Sequence, residues 1–291
     1  MIAPTDAGLA STLIAAFPLL VLFVLLASGK VKGWIAALVS SIIASLVAFA
    51  LVGMPAELVF SAGLLGIAFA LFPIIWILFS ALWIYHLCVV SGEFEKIKVM
   101  LGGMTDDRRL QALFIAFAFG AFLEGTAGFG VPVAITSAML VGLGFPPMLA
   151  ATLCLIANSS PVAFAAAGVP ITVAAQVSGL DPLRISGFIA LQLPLLSALM
   201  PLWLSVVLCG WKRSLEILPA ILVGGICLAL SQFFVASTLG PWTTGIISGL
   251  VTVAALAILY RFWKPRRSWD FGDRVPVALR DDQRERVGLV A

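Results

Sequence analysis

The sequence predicts an all-α polytopic membrane protein, and its composition and its long apolar runs carry that prediction. Hydrophobic residues make up 62% and charged residues 11% of the 291 residues, whereas a soluble domain has about 25% charged residues. The mean hydropathy is +1.15. These values exclude a soluble enzyme, a nucleic-acid-binding protein and a disordered chain. Because the apolar runs are continuous rather than alternating, they also exclude an outer-membrane barrel.

Six apolar segments are long enough to cross a bilayer, which takes about 20 residues of helix. They lie at about 9–28, 33–53, 58–88, 185–209, 214–237 and 242–262. A further stretch, 148–178, is interrupted by Asn158-Ser159-Ser160-Pro161. A proline inside a helix removes a backbone donor and clashes with the preceding turn. This stretch therefore predicts two half-helices joined by an unwound segment, the second of which starts at Pro161.

The stretch 110–144 is too long for one span and too short for two. Its centre, Glu124-Gly125-Thr126-Ala127-Gly128-Phe129-Gly130, contains three glycines, which a regular helix holds poorly. Short loops rich in Lys and Arg stay on the cytoplasmic side of the membrane. All the basic loops lie on that side only if the stretch 110–144 both enters and leaves the membrane there. The sequence therefore predicts a re-entrant hairpin that enters from the cytoplasm, with the N-terminus outside. The loop residues counted are Lys30, Lys32, Lys96, Lys98, Arg108, Arg109, Lys212, Arg213, Arg261, Lys264, Arg266 and Arg267.

Glu124 is the only acidic residue deep inside an apolar run. A charge in mid-membrane costs at least about 2.5–3.5 kcal/mol, so it is rarely kept without a role. We interpret Glu124 as a proton-coupling or substrate-contacting residue. The alternative is a carboxyl group that caps free amides of a broken helix. The acid pair Asp106-Asp107, by contrast, is interpreted as part of a solvated surface.

The glycine-rich tip and the Asn-Ser-Ser-Pro break are candidate ligand sites. Glycines let the backbone turn and approach a ligand closely. Each half-helix N-terminus carries free amides and about half a unit of positive charge, so two termini that meet in mid-membrane would bind a carboxylate. Close helix packing and a structural kink are the alternatives. The predicted substrate-binding or proton-coupling residues are Glu124, Gly125, Thr126, Gly128, Phe129, Gly130, Asn158, Ser159 and Ser160.

No catalytic residue, metal site or cofactor is predicted. The chain has one histidine and four cysteines, and no two cysteines form a Cys-x-x-Cys pair. A zinc site is therefore not expected. An intramembrane enzyme would need a nucleophile–base pair or a metal cluster at membrane depth, and the sequence offers neither.

The segment Phe122-Leu123-Glu124-Gly125-Thr126-Ala127-Gly128-Phe129-Gly130-Val131-Pro132-Val133-Ala134-Ile135 closely resembles the signature of the L-lactate permease family. Asn158-Ser159-Ser160-Pro161-Val162-Ala163-Phe164 is similar to a second family motif, although Ala165 stands where glycine is expected. The resemblance implies proton-coupled uptake of L-lactate, and of glycolate or D-lactate, by a transporter built from inverted repeats with re-entrant hairpins.

Family members are roughly twice this long, so the chain resembles an N-terminal portion, the first half of an inverted-repeat transporter. The resemblance implies a transmembrane domain over 1–263, with a first repeat at about 9–210 and the start of a second at about 214–262. The segment 264–291 is rich in Arg and Asp and is expected to be a solvated cytoplasmic tail or linker.

The leading functional prediction is a secondary active transporter that imports L-lactate by proton symport across the bacterial inner membrane. The alternatives are a sodium-coupled carrier of small carboxylates and a truncated half that does not transport. The expected partners are a small monocarboxylate, protons, the lipid bilayer, and a C-terminal half or a second copy of the chain. No nucleic acid is expected.

Overall fold

The computed structural model describes residues 9–271, and every regular element in that range is helical. Five helices there are long and apolar enough to cross a membrane, or six if a bent pair forms one span. The predicted all-α polytopic fold is therefore confirmed. Two expectations, the outside location of the N-terminus and the cytoplasmic tail beyond residue 271, concern residues outside the described range. The six spans are Gly33–Ala50, Ala56–Val90, Pro182–Cys209, Leu218–Thr238, Pro241–Phe262, and Pro147–Asn158 with Val162–Ser178.

The described residues divide after Ile75 into two compact units. In the first unit, α1 (Leu9–Ala27) packs along α2 (Gly33–Ala50), and α3 (Ala56–Phe69) follows. Beyond α3 the helix is interrupted at Phe72, which has extended backbone with φ −146° and ψ 112°. Extended backbone is usual for a residue that precedes a proline.

The second unit holds the re-entrant and broken helices that form the candidate site. Its elements are α4 (Trp76–Val90), α5 (Glu93–Gly102), α6 (Arg108–Ala112), α7 (Gly120–Thr126), α8 (Val131–Gly142), α9 (Pro147–Asn158), α10 (Ala165–Ser178), α11 (Pro182–Cys209), α12 (Trp211–Leu215), α13 (Leu218–Thr238) and α14 (Pro241–Phe262). The most extensive helix packing is that of α13 against α11 and α14, and α14 also packs along α7.

Among residues 9–271, the stretch between α6 and α7 is the most completely buried. A π-helical segment, Leu113–Phe119, joins the two helices, and all of its side chains but the last are buried. A helix that is apolar all round must be enclosed by protein or by lipid. Here the enclosure comes from α8, α9, α13 and α14, which all pack against this segment.

Candidate functional site

The two ends of the stretch 108–143 lie together, so this stretch is a hairpin. Arg108 donates from Nη1 to the carbonyl oxygen of Leu143 at 2.5 Å, and its guanidinium lies 5.9 Å from the centre of the Phe145 ring. Between these ends the chain runs through α6 and α7, turns at residues 127–130 and returns as α8. The predicted hairpin is confirmed in its geometry. The membrane face from which it enters stays a prediction.

A buried ion network closes the open end of the hairpin. Arg109 is fully buried, and its guanidinium lies 2.6 Å from Asp107 Oδ2 and 2.7 Å from Glu216 Oε2. It also donates to the carbonyl oxygens of Arg213 at 2.8 Å and Arg267 at 3.0 Å. Burial alone would lower the pKa of Arg109, but the two carboxylates outweigh burial and raise it. Three of the predicted basic loops therefore meet at one end of this unit.

Of the acid pair interpreted as a solvated surface, Asp106 is exposed as expected, but Asp107 is buried. Its side chain is only 1% exposed. A carboxylate is tolerated there because it accepts hydrogen bonds from the Arg109 backbone N–H at 2.9 Å and from the Arg109 guanidinium. Removing either partner would leave the other charged and buried, which is strongly destabilising.

Residues 263–271 fold back over the base of the hairpin. The Trp269 N–H donates to Asp107 Oδ2 at 3.1 Å, and the Trp269 carbonyl accepts from the Arg108 N–H at 3.1 Å. The rings of Trp269 and Phe271 lie 5.2 Å apart and pack against the hydrophobic core. Lys264, residues 266–268 and Asp270 are exposed, whereas Trp269 and Phe271 are half-buried. The segment as far as Phe271 is therefore anchored to the hairpin base, and its assignment as a cytoplasmic tail stays a prediction.

Glu124 lies on α7 near the turn of the hairpin and is only 1% exposed. Here α7 packs against α9, and the side chain of Asn158, the last residue of α9, lies near the Glu124 carboxyl group. Among residues 9–271, Oε2 of Glu124 has no hydrogen-bond partner. The two predicted motifs thus meet at this pair, and the carboxyl group keeps one oxygen free.

Backbone of α14 packs directly on the half-helix that carries Glu124. A Cβ atom on Gly125 would lie 2.5 Å from Ile246 N, and one on Gly249 would lie 2.5 Å from Phe122 N. Sequence reasoning did not connect Gly245 and Gly249 with the site. The signal was present, since Gly-x-x-x-Gly is the spacing that lets two membrane helices approach closely.

The hairpin tip runs through left-handed backbone at Gly128, Phe129 and Gly130, with φ of 62°, 53° and 79°. A Cβ atom on Gly128 would lie 2.8 Å from Ala166 N, so the tip touches the far side of the broken helix. At Gly130 a Cβ atom would meet no atom within 4 Å. The close approach at Gly128 is thus to the backbone of the broken helix, as the packing alternative predicts, whereas Gly130 has a positive φ and open space. Contact of either glycine with a ligand stays a prediction.

The predicted break is confirmed, but the second half-helix starts later than expected. Pro147–Asn158 and Val162–Ser178 are bent by 72°. A single 3-10 turn follows Pro161, and residues 166–168 then have φ of 45°, 52° and 76° before regular helix resumes. The start predicted at Pro161 is therefore wrong. The half-helix N-terminus that meets the hairpin tip is formed by residues 166–168, not by the Asn-Ser-Ser segment.

The three predicted hydroxyl residues lie in different surroundings. Thr126 is exposed and donates to the Leu123 carbonyl oxygen of its own helix at 2.8 Å. Ser159 is also exposed and donates to the Leu155 carbonyl oxygen at 3.2 Å. Ser160 is fully buried, and its backbone carbonyl oxygen lies 3.4 Å from Ser197 Oγ on α11.

A cavity of about 430 Å³ lies between α4, α5 and the hairpin. Its walls are mainly apolar side chains, among them Ile84, Phe119 and Val131, and Glu124 does not line it. An apolar cavity does not suit a carboxylate, whose charge needs hydrogen-bond donors. Thr126 is the one predicted site residue among its walls. The position of a bound anion stays a prediction.

Comparison with known proteins gives one consistent family. The family model described as L-lactate permease matches residues 11–287. The glycolate permease GlcA of Escherichia coli is 47% identical over 89% of this chain and 46% of its own length. The L-lactate permease of Bacillus subtilis is 45% identical over 90% of this chain and 47% of its own length. The chain thus spans about half the length of the curated relatives it matches, and no solved structure matches it. This extent of similarity shows that the chain belongs to the L-lactate permease family.

Proposed function

We propose that the protein carries a small 2-hydroxymonocarboxylate, L-lactate or glycolate, across the bacterial inner membrane together with a proton. The substrate class is supported by the names of the relatives, a glycolate permease at 47% and an L-lactate permease at 45% identity. The several long apolar helices are those of a multi-pass membrane protein. Because the chain spans about half of these relatives, transport by the whole protein is part of the proposal.

The observation that carries the proposal is the buried Glu124 carboxyl group, with one free oxygen, beside Asn158 at the break. A carboxyl group in such a place, without a cation beside it, takes up and releases a proton as its surroundings change. A lactate anion and a proton that cross together move no net charge. A proton on Glu124 would also spare the site two facing carboxylates when lactate arrives.

The anion itself is proposed to bind at the hairpin tip. There α8 begins after Gly130, and the tip meets residues 166–168 of the broken helix. Both are half-helix N-termini, whose amides and partial positive charge favour a carboxylate. Phe129 and Gly130 are exposed, so a ligand can reach the tip from outside the packed core.

The test is transport into membrane vesicles by Glu124→Gln, which keeps the shape of the protonated side chain. The 291-residue chain is measured alone and together with the C-terminal half of the Bacillus subtilis permease. Lactate counterflow should persist, whereas accumulation driven by an imposed pH gradient should be lost. Glu124→Asp should retain weakened coupling. Glu93→Gln, which changes an exposed glutamate paired with Lys96, is the control and should retain both activities.

Three results would contradict the proposal. If Glu124→Gln still accumulates lactate in response to the pH gradient, the proton travels by another route. If accumulation by the unchanged protein follows a sodium gradient and ignores the pH gradient, the coupling ion is wrong. If neither form of the protein moves lactate or glycolate, the proposed substrate class is wrong for this chain.

A further inference from the structure

Three polar side chains from separate segments meet beneath the broken helix. They are Ser160 at the break, Ser197 on α11 and Gln232 on α13, and all three are fully buried. Ser197 Oγ lies 3.4 Å from the Ser160 carbonyl oxygen and 2.7 Å from Gln232 Oε1. Two of the polar atoms here, Ser160 Oγ and Gln232 Nε2, have no hydrogen-bond partner within residues 9–271.

Polar atoms buried in this way are rarely left unpaired, because each has given up its hydrogen bonds to solvent. Apolar side chains cannot satisfy them. A small ligand that lies between two such atoms can, provided that it finds two or more polar partners. Ser197 contacts the backbone carbonyl oxygen of Ser160 and the side chain of Gln232, so a ligand in the space beside Ser197 would lie next to both residues.

The chemistry of the two groups selects the kind of ligand. The oxygen and nitrogen of an amide are assigned by their partners, so Gln232 can present either Nε2 or Oε1 to this space. An anion would fit only the first orientation and a cation only the second. Water both donates and accepts, so it fits both orientations as well as the Ser160 hydroxyl.

We propose that one water molecule binds between the Ser160 hydroxyl and the Gln232 amide. Together with the Ser197 hydroxyl, it ties the break in the helix to α11 and α13. Ser160 follows Asn158 by two residues, so this tie positions Asn158 against Glu124. Gln232 and Ser197 are thus positioning residues for the candidate site, although neither lies in the two sequence motifs. The inference concerns the folded chain and does not depend on the proposed transport activity.

A double-mutant cycle on the purified 291-residue chain in detergent tests this link. Thermal unfolding midpoints are compared for Ser160→Ala, Gln232→Met and the double variant. Each single change should lower the midpoint, because it leaves the other group unpaired. The double variant should lose no more than the larger single loss. Amide exchange over residues 156–164 should accelerate in both single variants, whereas a merely global loss of stability would accelerate exchange throughout.

Ser205→Ala provides the matched control. Ser205 is another fully buried serine of α11, but its hydroxyl donates at 2.8 Å to the Pro201 carbonyl oxygen of its own helix. The change in unfolding midpoint caused by Ser205→Ala should add to the change caused by Gln232→Met. If the Ser160 and Gln232 effects are equally additive, the two side chains share no ligand and the proposal fails.

Two measurements on the unchanged chain test the identity of the ligand. The unfolding midpoint should be the same in sodium chloride and in choline chloride. A midpoint that rises with sodium, and no longer does so in Gln232→Met, would replace the water with a cation. A structure that resolves ordered water should show density between Ser160 and Gln232, and the absence of that density would overturn the proposal even if the variants do not fold.

Discussion

Replacing Gly125 with alanine should destabilise the protein, although glycine-to-alanine changes usually stabilise a helix. The added Cβ atom would lie 2.5 Å from Ile246 N and 2.7 Å from the Gly245 carbonyl oxygen. Both are backbone atoms of α14, so no side chain can rotate away. Restoring an ordinary contact of 3.4 Å from 2.5 Å requires α7 and α14 to part by about 0.9 Å.

The two opposing effects can be compared in magnitude. Alanine is about 1 kcal/mol better than glycine inside a helix. Overpacking costs about 1–3 kcal/mol, and a gap of about 0.5–1 Å also forfeits roughly a quarter to a half of the dispersion energy of each separated contact. Because backbone meets backbone here, we take the upper end of the overpacking range, about 3 kcal/mol. The net loss is then about 2 kcal/mol, which corresponds to a midpoint lower by about 4–8 °C.

Gly120→Ala is the matched control, because Gly120 is a buried glycine of the same helix. Its Cβ atom would lie 3.6 Å from the Ile115 carbonyl oxygen and 3.8 Å from Thr136 Cγ2, which are ordinary contacts. Thermal unfolding in detergent, followed by tryptophan fluorescence, should rank Gly120→Ala at or above the unchanged chain and Gly125→Ala well below it. Equal midpoints for the two variants would refute the close approach of α7 and α14.

Two further predictions concern the base of the hairpin. Arg109→Ala should lower the free energy of unfolding by about 3–5 kcal/mol, because it leaves Asp107 charged and buried. Arg108→Ala should lower it by less, since its partner Asp270 is 64% exposed. Equal losses of thermal stability in the two variants would contradict the ion network. For topology, cysteines placed at Arg108 and Lys212 should both react with an impermeant thiol reagent from the cytoplasmic face. Labelling of the two positions from opposite faces would exclude the proposed orientation.

The helices and the hairpin were predictable because each depends on a signal within a short segment. Length and apolar character identify the spans, since a helix in lipid must satisfy its own backbone. The hairpin followed from the positions of basic loops, and the ends of that stretch do meet through Arg108 and Leu143. A meeting of the two breaks was expected, because two helix breaks at membrane depth have few places to be buried except against each other. The proximity of Glu124 to Asn158 was not itself predicted.

The surroundings of the site were not predictable in the same way. Gly125 meets Gly245, 120 positions later in the chain, and a glycine-rich segment alone does not say which backbone will approach it. The burial of Asp107 depends on Arg109, which itself reaches a carbonyl oxygen 158 residues away. In the sequence, an acid beside two arginines has the pattern of a solvated loop.

The sequence by itself determined the class of protein, the hairpin, the break and the family, because hydrophobicity, charge and motif spacing are properties of neighbouring residues. Only the tertiary structure decided which residues at each break contact one another. It placed Asn158 near Glu124 and Ser197 between Ser160 and Gln232. It also moved the second half-helix N-terminus to residues 166–168. The physical reason is that a buried polar group is stable only where its partner lies, and here those partners come from helices distant in the chain.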